Sequence, residues 1–225
     1  MLSSRLGVGF LVLGLSFSLG CGGGASDKAN FRAMNAVPDQ SSITVLLDGS
    51  SIASSVGYGA ASDYSQTNSG SRHLQVEPAS STTVFLDQTF SLSGATNNTL
   101  IVANLSSTSS GILLTDDNTA PTTGNIKLRI VNAAPNLGTV DVYVVPPGTN
   151  IGTVTPIVVS LGFQSSSAYL NLTAGSYDLV FTPHGSTFAF LNTGAISFSP
   201  GQNRTIVALN SLSGGFAIGT LKDLN

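Results

Sequence analysis

The chain holds one cysteine, Cys21, and two histidines, His73 and His184, so nucleophilic or metal chemistry has few places to start. A catalytic or zinc-binding histidine needs partners at set spacings, and neither H-x-H nor H-x-x-x-H occurs. His73 and His184 therefore read as surface or strand-end residues. No G-x-S-x-G elbow is present, and serine is so abundant that a single hydroxyl marks nothing. Asp116-Asp117-Asn118 is the one local carboxylate cluster. Calcium takes about six to eight oxygens, and no EF-hand-like loop surrounds the cluster, so it reads as solvated linker. Asp39 and Asp141 read as turn and surface residues. The candidate ligand-facing side chains are four aromatics, Tyr58, Tyr64, Phe163 and Tyr169, which would stack on sugar rings if exposed together. Their matched placement along the chain fits core positions equally well. The sequence predicts no catalytic residue, no metal site and no cofactor.

What positions these residues is a repeat. Arg32-Ala33-Met34-Asn35-Ala36-Val37-Pro38-Asp39 returns as Arg129-Ile130-Val131-Asn132-Ala133-Ala134-Pro135-Asn136. In an extended strand Phe31, Ala33 and Asn35 share one face, and Arg32, Met34 and Ala36 the other. The proline ends the strand by fixing φ and removing a donor. The Asn three residues earlier is placed to bond the backbone freed at that exit. The arginine predicts a stem over apolar surface with its guanidinium on a nearby carboxylate or carbonyl.

Later landmarks match too. Val56-Gly57-Tyr58 aligns with Leu161-Gly162-Phe163, Tyr64 with Tyr169, Leu74 with Leu179, and Phe85-Leu86 with Phe190-Leu191. The offset is 97 at the arginine motif and 105 afterwards, because Pro146–Thr153 is an insertion without a counterpart. A loop peculiar to one copy is a natural place for binding. Strands are predicted at Ile43–Leu47, Ser71–Val76, Thr82–Leu86, Thr99–Leu105, Gly111–Thr115 and Val140–Val145, with a turn at Asp48-Gly49. The expected class is all-β: two tandem immunoglobulin-like antiparallel β-sandwiches, each closing over its own core. The expected bounds are 1–20 for a signal peptide, 21–30 for a tether, 31–115 for the first sandwich, 116–125 for a linker and 126–225 for the second.

The N-terminus has one positive charge, Arg5, then an apolar run from Leu6 to Leu19, too short for a typical membrane-spanning helix. It ends at Gly20-Cys21-Gly22, which resembles a bacterial lipoprotein signal. Such signals usually carry Leu three residues before the cysteine, where this chain has Ser18 followed by Leu19. The resemblance implies a lipid on Cys21 that anchors the protein without a spanning helix. Gly22, rather than Asp, after the cysteine points to the outer membrane or cell surface. Charged residues make up only 8% of the chain and the net charge is −3, so hydroxyls and amides supply the polarity. With no basic cluster, nucleic acid is excluded as a partner.

The R-x-x-N-A-x-P opening, the Val140-Asp141-Val142-Tyr143-Val144 strand and Leu170–Leu179 resemble the exported bacterial domain of unknown function 4397, which occurs in tandem on lipoproteins. The resemblance spans nearly all of both halves and is closer in the second, since the first has Arg72-His73 where the second has Tyr177-Asp178. It implies fold and address and brings no catalytic residues. Together these readings predict a membrane-anchored extracytoplasmic binding or spacer module without catalysis. The alternatives are a carbohydrate- or polymer-binding adhesin with glycan or protein partners at the cell surface, and a secreted hydrolase.

Overall fold

The computed structural model describes residues 27–224, so Cys21, the signal segment and most of the tether lie outside the described residues. Sixteen strands form four four-stranded sheets, with no α-helix among the described residues. In the first half β1 (Lys28–Ala36), β2 (Ser42–Leu47), β3 (Ser50–Gly57), β4 (Ser65–Asn68), β5 (Gly70–Pro78), β6 (Leu86–Leu92), β7 (Asn97–Ala103) and β8 (Ser110–Asp116) form two sheets, ordered β4-β1-β7-β8 and β3-β2-β5-β6. The second half contributes β9 (Asn125–Asn132), β10 (Val140–Val145), β11 (Val158–Leu161), β12 (Leu170–Thr173), β13 (Gly175–Pro183), β14 (Leu191–Phe198), β15 (Asn203–Asn210) and β16 (Phe216–Leu224). Its sheets run β12-β9-β15-β16 and β11-β10-β13-β14, the same order again. No sheet mixes strands of the two halves.

Each pair of sheets closes on an apolar core. Phe31, Ile43, Val45, Leu74, Val76 and Leu100 fill the first, and Ile126, Leu128, Val142, Leu179, Phe181 and Ile206 the second. The pairing is not wholly antiparallel as expected. β1 runs parallel to β7, and β9 to β15, one parallel pair in each half. Parallel pairs belong where both faces are covered, and β1 and β9 are buried on both faces over most of their length.

Other departures are local. β1 begins at Lys28, because Lys28–Phe31 pair with β4. The run from Thr82 to Phe85 is not strand, and β6 starts only at Leu86. Serine-rich β3 and all-polar β4 carry too little apolar alternation to be read from sequence. Asp48 and Gly49, both at positive φ, make the two-residue hairpin turn between β2 and β3. In the second half the insertion opens that hairpin. Its Ile151 packs over Tyr143, Val145 and Val180, the outward side chains of β10 and β13, so the extra loop covers a sheet face.

Candidate functional site

The strand that opens each repeat also builds the contact between the halves. Phe31 and Ala33 point into the first sandwich's core. Met34 and Ala36 point the other way, joining Ile101, Ile112 and Leu114 in a cluster with Val131, Val207, Leu209 and Leu221 of the second half. The two sheets that begin with β4 and β12 thus pack face to face. Asn35 holds the strand exit: its Nδ2 donates to the carbonyls of Gln40 and Val56, and its Oδ1 accepts from the Val37 N–H. Asn132 does the same with Gly138, Leu161 and Ala134.

Beside this apolar contact lies a buried polar cluster in two reciprocal sets. Arg32 donates from Nε to Thr99 Oγ1 at 2.7 Å, from Nη1 to the Lys222 carbonyl at 2.7 Å, and from Nη2 to the Asp223 carboxylate. Arg129 donates from Nε to Thr205 Oγ1 at 2.9 Å, from Nη1 to the Thr115 carbonyl at 3.0 Å, and from Nη2 to Asp116 at 2.5 Å. Asp116 also accepts from the Thr99 and Tyr64 hydroxyls at 2.5 and 2.6 Å. Asp223 accepts from Thr205 and Tyr169 at 2.6 and 2.8 Å. Each guanidinium lies over a tyrosine ring, Arg32 over Tyr64 at 4.4 Å and Arg129 over Tyr169 at 4.7 Å.

Each half therefore gives its arginine to the other half's aspartate. Such reciprocity, residue i on j and j on i, marks an isologous contact. Two cations meet two anions, and the side chains of Asp116 and Asp223 are 0% exposed. Buried charges persist only when paired and hydrogen-bonded, and the planar guanidinium meets three acceptors and a ring at once, which an ammonium cannot. Burial, and then the Asp116 carboxylate, push the Tyr64 phenol far above its ordinary range. Burial does the same at Tyr169, opposed by Arg129 and aided by Asp223. Both phenols stay protonated and act as donors.

Asp116 is corrected by this geometry, since the residue read as solvated linker sits at the centre of the contact. The linker expected at 116–125 narrows accordingly, with β8 running through Asp116. Asp117 does lie at the joint, bonded to Lys127 Nζ at 2.6 Å and to Thr119. Burial raises its carboxyl, but the bonds from Lys127 and Thr119 outweigh that and bring it down to about 2. Asp141 is also corrected. It is buried and accepts from the Ser160 and Gly185 N–H groups and from His184 Nδ1, each at 2.8 Å. Asp39 holds the Ser106 N–H and hydroxyl.

The four candidate aromatics all come to the contact between halves. Tyr64 and Tyr169 belong to the charged cluster, Tyr58 and Phe163 pack on the apolar one, and the Tyr58 hydroxyl donates to the Asn210 carbonyl across the halves. The histidines lie in different sandwiches, each beside a carboxylate. His73 Nε2 is 2.7 Å from Asp87, His184 Nδ1 meets Asp141, and both rings are about half exposed. No serine hydroxyl bonds either ring among the described residues. Among those residues, too, no three His, Cys, Asp or Glu group to hold a metal ion, and no helix is long and apolar enough to cross a membrane. Thr99, Thr205 and Asp223 were missed by sequence reasoning. The available signal was their equivalence, since Thr99 and Asp116 stand in the first half where Thr205 and Asp223 stand in the second.

Comparison with solved structures finds partial likenesses. The C-terminal domain of AlgF from P. aeruginosa aligns over 44% of this chain and 98% of its own at 15% identity and a TM-score of 0.33. A family 26 carbohydrate-binding module of Eubacterium rectale Amy13K, solved with maltoheptaose, aligns over 87% of this chain and 96% of its own at 12% identity and a TM-score of 0.28. Family 41 carbohydrate-binding modules from streptococcal virulence factors align over 80% and 93% at 9% identity and a TM-score of 0.28. No curated protein matches the chain. The family described as "Domain of unknown function (DUF4397)" matches residues 29–143, which take in the first sandwich and run into β10. The match thus lies over the first half and the opening of the second, whereas the motifs had pointed to the second half as the closer copy.

Proposed function

Because the chain belongs to the DUF4397 family, whose activity is unassigned, we propose from its own residues that it is a non-catalytic binding or spacer module, held outside the cytoplasm by a lipid on Cys21. One observation carries the non-catalytic part. The densest constellation of charge and hydroxyl in the described residues, Arg32, Arg129, Asp116, Asp223, Thr99, Thr205, Tyr64 and Tyr169, bonds to itself and fixes one half to the other. Those groups are saturated with partners, so they hold two sandwiches together and leave no free base or nucleophile. The anchor is supported by the apolar run that ends at the chain's single cysteine.

Membrane fractionation of the wild type and Cys21→Ser tests the anchor. Release of the variant into the soluble fraction is the expected result, and unchanged sedimentation with membranes refutes lipidation. A carbohydrate-binding reading has its own supporting feature. Phe188, 69% exposed, stands against Phe190, and Phe190 against Phe216, with ring centres 6.1 Å apart in both pairs. Such a row could stack on sugar faces. A polysaccharide pull-down that is unchanged by Phe188→Ala counts against it.

A further inference from the structure

The insertion Pro146–Thr153 roofs one sheet face of the second sandwich, where its Ile151 packs on Tyr143, Val145 and Val180. Val145 pairs with Asp178 and Tyr143 with Val180 across β10 and β13, and Val180 pairs with Asn192 across β13 and β14. Opposed residues of an antiparallel pair share a face, so Asp178 and Asn192 flank Val180 on the face beneath the roof. Asp178 reaches the roof itself, since its Oδ2 accepts from the Gly148 N–H at 3.2 Å. Between roof and face lies a crevice of ≈ 310 Å³ whose lining includes Asn150, Ile151, Asp178, Val180, Thr187 and Asn192. The roof is held in shape by its own bonds. Thr149 Oγ1 donates to the Pro146 carbonyl at 2.6 Å, and Thr153 Oγ1 to the Asn150 carbonyl at 2.9 Å.

The first sandwich shows the same face without a roof. His73, Gln75 and Asp87 hold the positions of Asp178, Val180 and Asn192, and Gln75 pairs with Asp87 as Val180 does with Asn192. There the side chains satisfy one another: His73 Nε2 lies 2.7 Å and Gln75 Nε2 3.0 Å from the Asp87 carboxylate. In the second sandwich Val180 stands between the two polar groups. The Oδ1 atoms of Asn150 and Asn192 are held by the N–H groups of Gly152 and Gly194, which fixes each amide and leaves its Nδ2 to give. Asp178 Oδ1 and both Nδ2 groups take no partner among the described residues. One charged acceptor and two amide donors around a floor of Val180 and Ile151 match a hydroxylated ring with an apolar face, because a hydroxyl both donates and accepts. An ammonium calls for acceptors alone, and the amide N–H groups oppose it. The volume lies at the small end of ligand sites and suits a single sugar ring.

We propose that this crevice binds one pyranose ring of a neutral glycan, with Asp178 accepting from its hydroxyls and Asn150 and Asn192 donating to them. The proposal rests on the carbohydrate-binding reading and puts the sugar where Phe188 is not part of the lining. Saturation-transfer NMR of the full chain with the methyl glycosides of glucose, galactose, mannose and N-acetylglucosamine tests it. At least one should bind saturably. Asp178→Ala and Asn192→Ala should each weaken that binding about tenfold or more, and Phe188→Ala should leave it unchanged. Ala189→Trp fills the crevice, removes no side-chain hydrogen bond and should abolish binding. Melting temperatures confirm that each variant is folded, and Ala189→Trp decides the matter should Asp178→Ala not fold. No saturable binding by any of the four, binding that survives Ala189→Trp, or saturable binding of putrescine in place of a glycoside overturns the proposal. Polysaccharide retention that depends on Phe188 and not on Asp178 also overturns it, while the carbohydrate reading stands. A chain that retains no polysaccharide and binds no glycoside ends both and keeps only the spacer role.

Discussion

Arg32 and Asp223 stand 191 positions apart in the chain and share a buried hydrogen bond between guanidinium and carboxylate. Their counterparts, Arg129 and Asp116, stand 13 positions apart and make the same bond. One pair spans nearly the whole described chain and the other only the joint, so the geometry is set by how the sheets meet. Desolvating four charges is expensive, and the threonine and tyrosine hydroxyls that complete each carboxylate's bonding make the cluster tolerable. What it adds is register: a shifted packing of the two sheets would bury unmatched charge.

Removing both partners should therefore cost less than the two single losses added together. Arg32→Ala leaves Asp223 buried without its cation and should lower stability by about 3–5 kcal/mol. The Arg32→Ala/Asp223→Ala double variant should lose clearly less than the sum of the single losses. Urea denaturation of the four-member cycle reads this, and additivity would show the pair to be uncoupled. Arg32→Lys should behave more like alanine than like wild type, because an ammonium cannot keep three acceptors and the tyrosine face together.

Asn35→Ala and Asn132→Ala should be twins. Each strips one backbone N–H and two carbonyls of a buried partner, a loss of about 1–3 kcal/mol. Denaturation midpoints should fall by similar amounts for the two variants. A large effect at one position and none at the other would break the equivalence of the motifs.

Acid should loosen the joint. Folding brings the Asp117 carboxyl down to about 2 through its bonds from Lys127 and Thr119, and a carboxyl lowered by folding contributes stability above its unfolded value. That contribution fades as pH falls from about 4 to about 2. Asp117 is 38% exposed, so solvent screening limits it to about 1 kcal/mol or less. Melting curves of wild type and Asp117→Asn between pH 7 and pH 2 should differ at neutral pH and converge at the acid end.

Gly219 lies where the halves touch. A Cβ there would come within 2.3 Å of Met34 Cε and 3.1 Å of the Gly59 carbonyl. Met34 is wholly buried, so its terminal methyl has little room to retreat. Gly219→Ala should cost about 1–3 kcal/mol by overpacking, and Met34→Ala should recover part of that loss in the double variant. Thermal unfolding of the pair checks both statements.

Much of the architecture was readable before any coordinate. The duplicated motif, the Asp48-Gly49 turn and the Val140–Val145 strand carry local signals that survive in the fold, as does the asparagine at each strand exit. The contact between halves was harder to see. Arg32, Met34 and Ala36 alternate with Phe31 and Ala33, and alternation gives two faces without saying what covers the second. Asp116 looked like linker because it begins an Asp-Asp-Asn run, and local composition outweighed its place at the end of a strand. Its partner in role, Asp223, has no such neighbours. Only a comparison of the two chain ends, carried past the last shared aromatic, would have paired them. The serines of β3 and the wholly polar run of β4 gave no period at all.

The reach of Arg32 to the Lys222 carbonyl, 190 positions onward, bears on how the molecule is made. Synthesis delivers β1 long before β16, so the first sandwich can close its own interior while its outer sheet still lacks a cover. Until β16 emerges and docks, that nascent half exposes an oily surface and an arginine awaiting its counter-ion. It would need shielding by a chaperone or rapid completion.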